Sequence, residues 1–217
     1  MLEWAPKTSA ASTEPGPSEL PLFPLQSVLF PGGLLGLKVF ETRYLDLVST
    51  CLREQRQFGV VALRQGSEAR TRPGETVEFE SVGTVVELLE VDSAQPGILE
   101  LRCRGTHRFT VHDREQQADG LWVAHTTPVP DDEDSAPTEA LIETVRGLAD
   151  AMDALKKQGA ELFLQPYRFD NAGWVANRWC EILPISLAAK QKLMELPDAL
   201  VRLELVDEFL RSKGVVS

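Results

Sequence analysis

Ser186 and Lys190 stand four positions apart, the spacing at which a lysine amine can face a serine hydroxyl across one helical turn and activate it as a nucleophile. Cys103, His107 and His112, with His125 further on, offer the residue types of a zinc site. Quieter roles fit both groups better. Ser186 directly precedes an apolar helical run, so its hydroxyl is expected to cap backbone N–H groups and Lys190 to point into solvent. On a strand Cys103 and His107 share a face while His112 points the other way, and zinc sites use closer pairs. The carboxylates Glu41, beside Arg43, and Glu80 and Glu87 are expected in ion pairs rather than as acid–base catalysts.

Three reusable devices are absent from the chain. There is no G-x-x-x-x-G-K-[ST] phosphate cradle, no G-x-G-x-x-G dinucleotide turn and no G-x-S-x-G nucleophile elbow. No catalytic residue, no cofactor and no metal site is therefore expected. Trp174 and Trp179, with Tyr167 and Phe169 nearby, form the notable aromatic group. Such residues fill a core or anchor a protein interface.

These side chains need elements to hold them. Leu20–Leu25 reads as extended, Val28-Leu29-Phe30 as a short strand, Pro31-Gly32-Gly33 as a turn and Leu34–Phe40 as extended again. The period then becomes helical. Phe40, Tyr44, Leu47, Val48 and Cys51 share one face, which predicts an amphipathic helix over Glu41–Gln55 with Glu41 in its first turn. Phe58–Leu63 is a buried strand. Thr76–Thr127 is mostly β, with Gly74, Gly83, Gly97, Gly105 and Gly120 placed to bend a compact barrel. Pro128–Pro137 contains Asp131-Asp132-Glu133-Asp134 and reads as a solvated hinge.

Beyond the hinge the pattern is helical. Leu141, Val145, Leu148, Met152 and Leu155 form one stripe. Further helices are expected over Phe169–Glu181, Ser186–Leu196 and Pro197–Ser212, the last opened by its proline with Leu200, Leu203, Val206 and Leu210 inward. The expected organisation is a tail over residues 1–18, a β-rich part over 19–128, a linker over 129–137 and a helical bundle over 138–217.

Composition narrows the function classes. The 217 residues carry 22 Lys plus Arg against 33 Asp plus Glu, a net charge of −11. Residues 1–128 hold 12 basic and 17 acidic side chains and residues 129–217 hold 10 and 16, so the excess is spread over both parts. Nucleic acid and anionic membranes are disfavoured as partners, although Arg102, Arg104 and Arg108 could form a local basic patch. The apolar stretches are too short to cross a bilayer, and residues 1–18 lack the features of a secretory signal. Three separated cysteines imply no disulfide framework and suit a reducing cytoplasm.

Several strings are familiar together. Leu20-Pro21-Leu22-Phe23-Pro24-Leu25, Phe30-Pro31-Gly32, Phe40-Glu41-Thr42-Arg43-Tyr44 and Phe58-Gly59-Val60-Val61 resemble the amino-terminal substrate-binding domain of Lon proteases. So do Val82-Gly83-Thr84, Gly105-Thr106-His107-Arg108-Phe109, Lys190-Gln191-Lys192-Leu193-Met194-Glu195-Leu196 and Arg202-Leu203. The likeness runs from about Leu20 to Leu210. It departs from the family at Gln95-Pro96-Gly97-Ile98, where a D-G-R-like turn is common.

The resemblance implies an α+β fold, a six-stranded PUA-like β pseudo-barrel with an inserted helix followed by an all-α helical bundle. It also implies a small stand-alone protein without the ATPase and protease modules. The expected function is a non-catalytic module that binds unfolded or extended polypeptide segments in the cleft between barrel and helices. Candidate contacts are Phe40, Arg43, Tyr44, Trp174, Arg178 and Trp179, with Arg43 or Arg178 anchoring a backbone or carboxylate. A regulatory adaptor of a separate protease, and a hydrolase with an unrecognised site, are the alternatives.

Overall fold

The computed structural model describes residues 18–68 and 76–216. The expected tail, apart from Ser18, and Gly74 lie outside the described residues. Among these residues the chain forms a mixed α+β fold with a six-stranded sheet and five α-helices. The strands are β1 (Ser18–Leu25), β2 (Leu34–Val39), β3 (Phe58–Gln65), β4 (Glu78–Gln95), β5 (Ile98–Gln116) and β6 (Trp122–Pro128). Helix α1 (Thr42–Glu54) lies between β2 and β3, and α2 (Ile142–Lys157), α3 (Ala172–Ile182), α4 (Leu187–Glu195) and α5 (Ala199–Ser212) follow the sheet.

The strand order is β2-β5-β4-β3-β1-β6, and β5 also pairs with β6. The long β5 makes this possible, because Leu99–Arg104 serves β2 while Phe109–Gln116 serves β6. The pairings β5–β4–β3–β1–β6–β5 thus return to their start, and β2 lies outside that ring with one partner. Only β1 and β3 are parallel, and α1 lies on the crossover between them.

Helix α1 buries Tyr44, Leu47, Val48 and Cys51 as its spacing predicts, and Tyr44 stacks on Phe23 with ring centres 3.8 Å apart. Phe40 departs from expectation and is 59% exposed. The helix starts at Thr42, so Phe40 precedes it and does not obey its period. Glu41 sits at the N-cap rather than in the first turn, and its carboxylate pairs with Arg43 at 2.9 Å.

Val28–Phe30 is no strand, because its carbonyls are bonded elsewhere. Thr84 Oγ1 donates to Leu29 O at 2.6 Å, and Gly33 N–H donates to Phe30 O at 2.9 Å to close the turn. Gly32 supplies that turn's positive φ of 75°. Pro96-Gly97 closes the β4–β5 hairpin in two residues, Gly97 having φ 78°. Gly83 and Gly105 are not bends but lie inside strands, where a side chain at either would collide with a neighbouring backbone carbonyl.

The helices are bounded by their caps. Asn171 Oδ1 accepts from Trp174 N–H at 2.7 Å and delays α3 to Ala172, later than the Phe169 start expected. Ser186 Oγ accepts from Ala189 N–H at 3.2 Å, the capping role its position implies. Pro197 does not open α5. Asp198 caps it, accepting from Leu200 and Val201 N–H. Leu148, Leu203, Val206 and Leu210 join Phe30, Val175 and Cys180 in a core between sheet and helices.

Candidate functional site

The junction of strands and helices is held by buried charge. Arg178 on α3 has no exposed side-chain surface; its Nη2 donates to Pro31 O at 2.9 Å and to Glu181 Oε1 at 2.7 Å. Its guanidinium lies under Gly32, where a side chain would crowd Nη1 at 3.1 Å. The Phe30-Pro31-Gly32 motif is therefore the piece of the sheet part that docks on α3. Burial pulls Arg178 below the ordinary arginine value and pushes the Glu181 carboxyl up to about 7, against the opposing pull of Arg178 and Lys190.

A second lock forms around Asp132. Its carboxylate accepts from Arg108 at 2.9 Å and from Arg202 at 2.6 and 3.0 Å. Arg108 also donates to Met194 O, Leu196 O and Pro130 O, and Arg202 to Leu193 O, Leu196 O and Asn177 Oδ1. The expectation of a plain solvated hinge thus fails at Asp132, which straps β5 to α5. Gln191 completes the seam, with Nε2 donating to Val82 O at 3.0 Å.

A cavity of about 410 Å³ opens beside this seam. Gln26, Ser27, Val28 and Leu29 form one wall and Leu34 and Leu35 at the start of β2 another. The helical side brings Leu162, Phe163, Ile182, Ile185 and Leu187, with Glu181 and Lys190 as the charged groups. Lys190 is not a free solvated side chain, because Nζ donates to Glu181 O at 2.8 Å. A second hollow of about 230 Å³, with Arg102 and Tyr167 in its lining, shares Leu162 and Phe163, so it adjoins the first, which forms a trough at the junction of strands and helices. The lining mixes apolar side chains with polar surface in similar measure, which suits an apolar polypeptide side chain together with its backbone.

The six side chains expected to contact a ligand do not converge on this trough. Arg43 donates to Gly120 O at 2.8 Å and lies over the buried Tyr44, so both support α1. Trp179 is 4% exposed and its Nε1 donates to Thr144 O. Trp174 packs edge-on to Phe169, with Tyr167 beside both rings and Arg178 5.8 Å from its ring centre. Arg178 does anchor a backbone carbonyl and a carboxylate, but they are its own chain's. The trough residues escaped sequence reading because they come from loops and helix ends without a shared period. The one hint was the expectation of a cleft between strands and helices.

The remaining chemistry is dispersed. Cys103 is fully buried, His112 hydrogen-bonds with Thr127, His125 is exposed, and no cluster able to hold a metal occurs among the described residues. Burial pushes the Cys103 and Cys180 thiols up to about 12, away from nucleophilic thiolate. The basic patch dissolves, since Arg102 pairs with Glu90, Arg104 with Glu87, and Arg108 is buried. Glu80 approaches Arg64 at 3.9 Å. No described helix is long and apolar enough to cross a membrane.

Comparison with known proteins agrees with this architecture. The family model for the ATP-dependent protease La (LON) substrate-binding domain matches residues 19–212. Lon protease of Anaeromyxobacter dehalogenans is 28% identical over 204 residues, covering 91% of this chain and 23% of that protein. Lon protease 2 of Myxococcus xanthus is 28% identical over 91% of the chain and 24% of its own length. The chain thus spans about a quarter of these relatives. A Lon N-terminal domain protein from Xanthomonas campestris has a similar crystal structure, with TM-score 0.68, 33% identity and coverage of 87% of this chain and 96% of that one. The N-terminal domain of Mycobacterium avium complex Lon protease shares the fold, with TM-score 0.58 at 16% identity over 88% and 97% of the two chains.

Proposed function

The chain belongs to the ATP-dependent protease La (LON) substrate-binding domain family, and from that premise we propose that it is a non-catalytic module that binds unfolded or extended polypeptide segments. The trough of Leu34, Leu35, Leu162, Phe163, Ile182 and Leu187 carries the reading, because it offers apolar surface to a side chain that a folded partner would keep buried. Family membership supports a substrate-recognition role, since a matching module is part of much longer Lon proteases.

Finer parts of the proposal rest on the same ground. The ring of strand pairings supports a PUA-like pseudo-barrel over 19–128, joined by 129–137 to a helical bundle over 138–217. Residues 1–18 are the expected tail. The cytoplasm is the proposed location, and neither nucleic acid nor membrane is a proposed partner. Of the original six contacts, the exposed Phe40 and half-buried Trp174 are open to a partner, while Arg43, Tyr44, Arg178 and Trp179 support the surfaces around them.

Isothermal titration of peptides from unfolded proteins into the full chain tests this function. Leu187→Asp is the matched variant, since an acidic side chain suits the first turn of α4 while making the trough polar. About tenfold weaker binding by the variant is expected. Absence of binding to either protein would overturn the function. Co-purification of a protease without peptide affinity would favour the adaptor reading instead.

A further inference from the structure

We propose that the free edge of β2 receives the bound segment as an added strand, so that the ligand is an extended apolar stretch flanked by Lys or Arg. The inference rests on the polypeptide-binding reading and states how the chain would hold its ligand.

β2 pairs only with β5 among the described residues and is the outer strand of the sheet. Gly105 N–H donates to Gly33 O at 2.9 Å, and that bond sets the alternation along the pair. Leu35, Leu37 and Val39 turn their backbone polar groups toward β5, while Leu34, Gly36 and Lys38 turn theirs toward the free edge. Such an edge is a ready template for another strand, and folded proteins usually blunt it with charge or proline. Here Lys38, paired with Glu100 at 3.3 Å, is the only charged residue of β2. Leu34 to Leu37 are left open.

Gly36 points the same way. Its φ is not positive, and a side chain there would meet no atom within 4 Å. Nothing inside the described chain requires a glycine, whereas the close approach of another backbone would. The edge also leads into the trough, since Leu34 and Leu35 belong to both. A strand laid on β2 would place alternate side chains toward Leu162, Phe163 and Leu187.

Charge selects the occupant. Glu181 and Lys190 are of opposite sign at the inner wall and suit the acceptor and donor of a peptide unit. The chain as a whole carries −11, a long-range field that favours basic over acidic flanking residues. A helical ligand would satisfy its own backbone and gain nothing from the edge.

The test is fluorescence anisotropy with the full chain and a labelled peptide of about six alternating apolar residues between lysines. The same peptide is made with N-methyl groups on alternate residues, in each of the two possible frames. Strand addition requires that one frame lose about tenfold or more in affinity while the other binds almost normally. Gly36→Pro, which removes an outward N–H and leaves the β5 ladder intact, should weaken binding to a similar degree. Replacing the flanking lysines by glutamates should weaken it most at low salt. Equal binding by both methylated frames, with Leu187→Asp still weakening it, would overturn strand addition and leave the polypeptide-binding function standing. Failure of every peptide to bind would overturn both.

Discussion

The seam and the trough lie side by side on the same helices, yet they are built on opposite rules. At the seam, Arg108 and Arg202 are buried and share a dense set of hydrogen bonds with the partly buried Asp132. In the trough, apolar side chains share the wall with polar groups, and among the described residues the adjoining edge of β2 has no strand partner. Buried charge tolerates little rearrangement, because each uncompensated group costs several kcal/mol. An apolar wall tolerates many occupants because burial is not directional. One region therefore fixes how the two parts sit together, and the other is left free to meet something else.

Breaking the seam should give the largest effect. Arg202→Ala leaves Asp132 half-neutralised and removes a donor from each of Leu193 O, Leu196 O and Asn177 Oδ1, so a loss of about 3–5 kcal/mol is expected in urea unfolding. A loss no greater than that of an exposed ion pair would erase the contrast. Leu187→Asp should behave in the reverse manner, with about tenfold weaker peptide binding and a smaller fall in urea midpoint than Arg202→Ala, since Leu187 is only half-buried against the edge of the core. A fall as large as that of Arg202→Ala would erase the difference between trough wall and seam.

Glu181 touches both regions and separates them by pH. Burial raises its carboxyl from 4.5 to about 7, so the folded chain holds this proton more tightly than the unfolded chain. Its contribution is fully present below about 4.5 and is lost as pH rises through about 7. Relative to the natural chain, Glu181→Gln should therefore gain stability across that window, read as a growing difference between urea midpoints. A flat difference would place the carboxyl in water. Arg104→Ala should matter least, about 0–1 kcal/mol, since Arg104 and its cross-strand partner Glu87 are both exposed, although Arg104 lies on the same strand as Arg108.

Arg102, Arg104 and Arg108 show where sequence reading stops. Alternation on β5 puts all three on one face, and their shared type suggested a basic patch. Nothing local distinguishes Arg108, whose acceptors Pro130 O and Asp132 lie 22 and 24 positions away and whose acceptors Met194 O and Leu196 O lie 86 and 88 positions away. The motifs that carry the family likeness have the same character. Gly32, Thr84, Arg108, Gln191 and Arg202 all face the seam, so they mark how the fold is closed rather than what it binds. Trp174, Arg178 and Trp179 looked like a ligand surface for a related reason. Aromatic and guanidinium groups suit an interface, and here most of that interface is internal.

By itself the sequence determined the elements and much of their order. Period and cap chemistry are local, so α1, α2, β3, the Pro31–Gly32 turn and the Ser186 cap follow from neighbours within a few residues. Only the tertiary structure decided which arginines are buried, that an acidic hinge becomes a strap, and where the open groove lies. Those outcomes depend on groups brought together across the chain, as when Arg178 reaches Pro31 over 147 positions. A side chain's charge is written in its own residue, but the burial that gives that charge its role is set by distant neighbours.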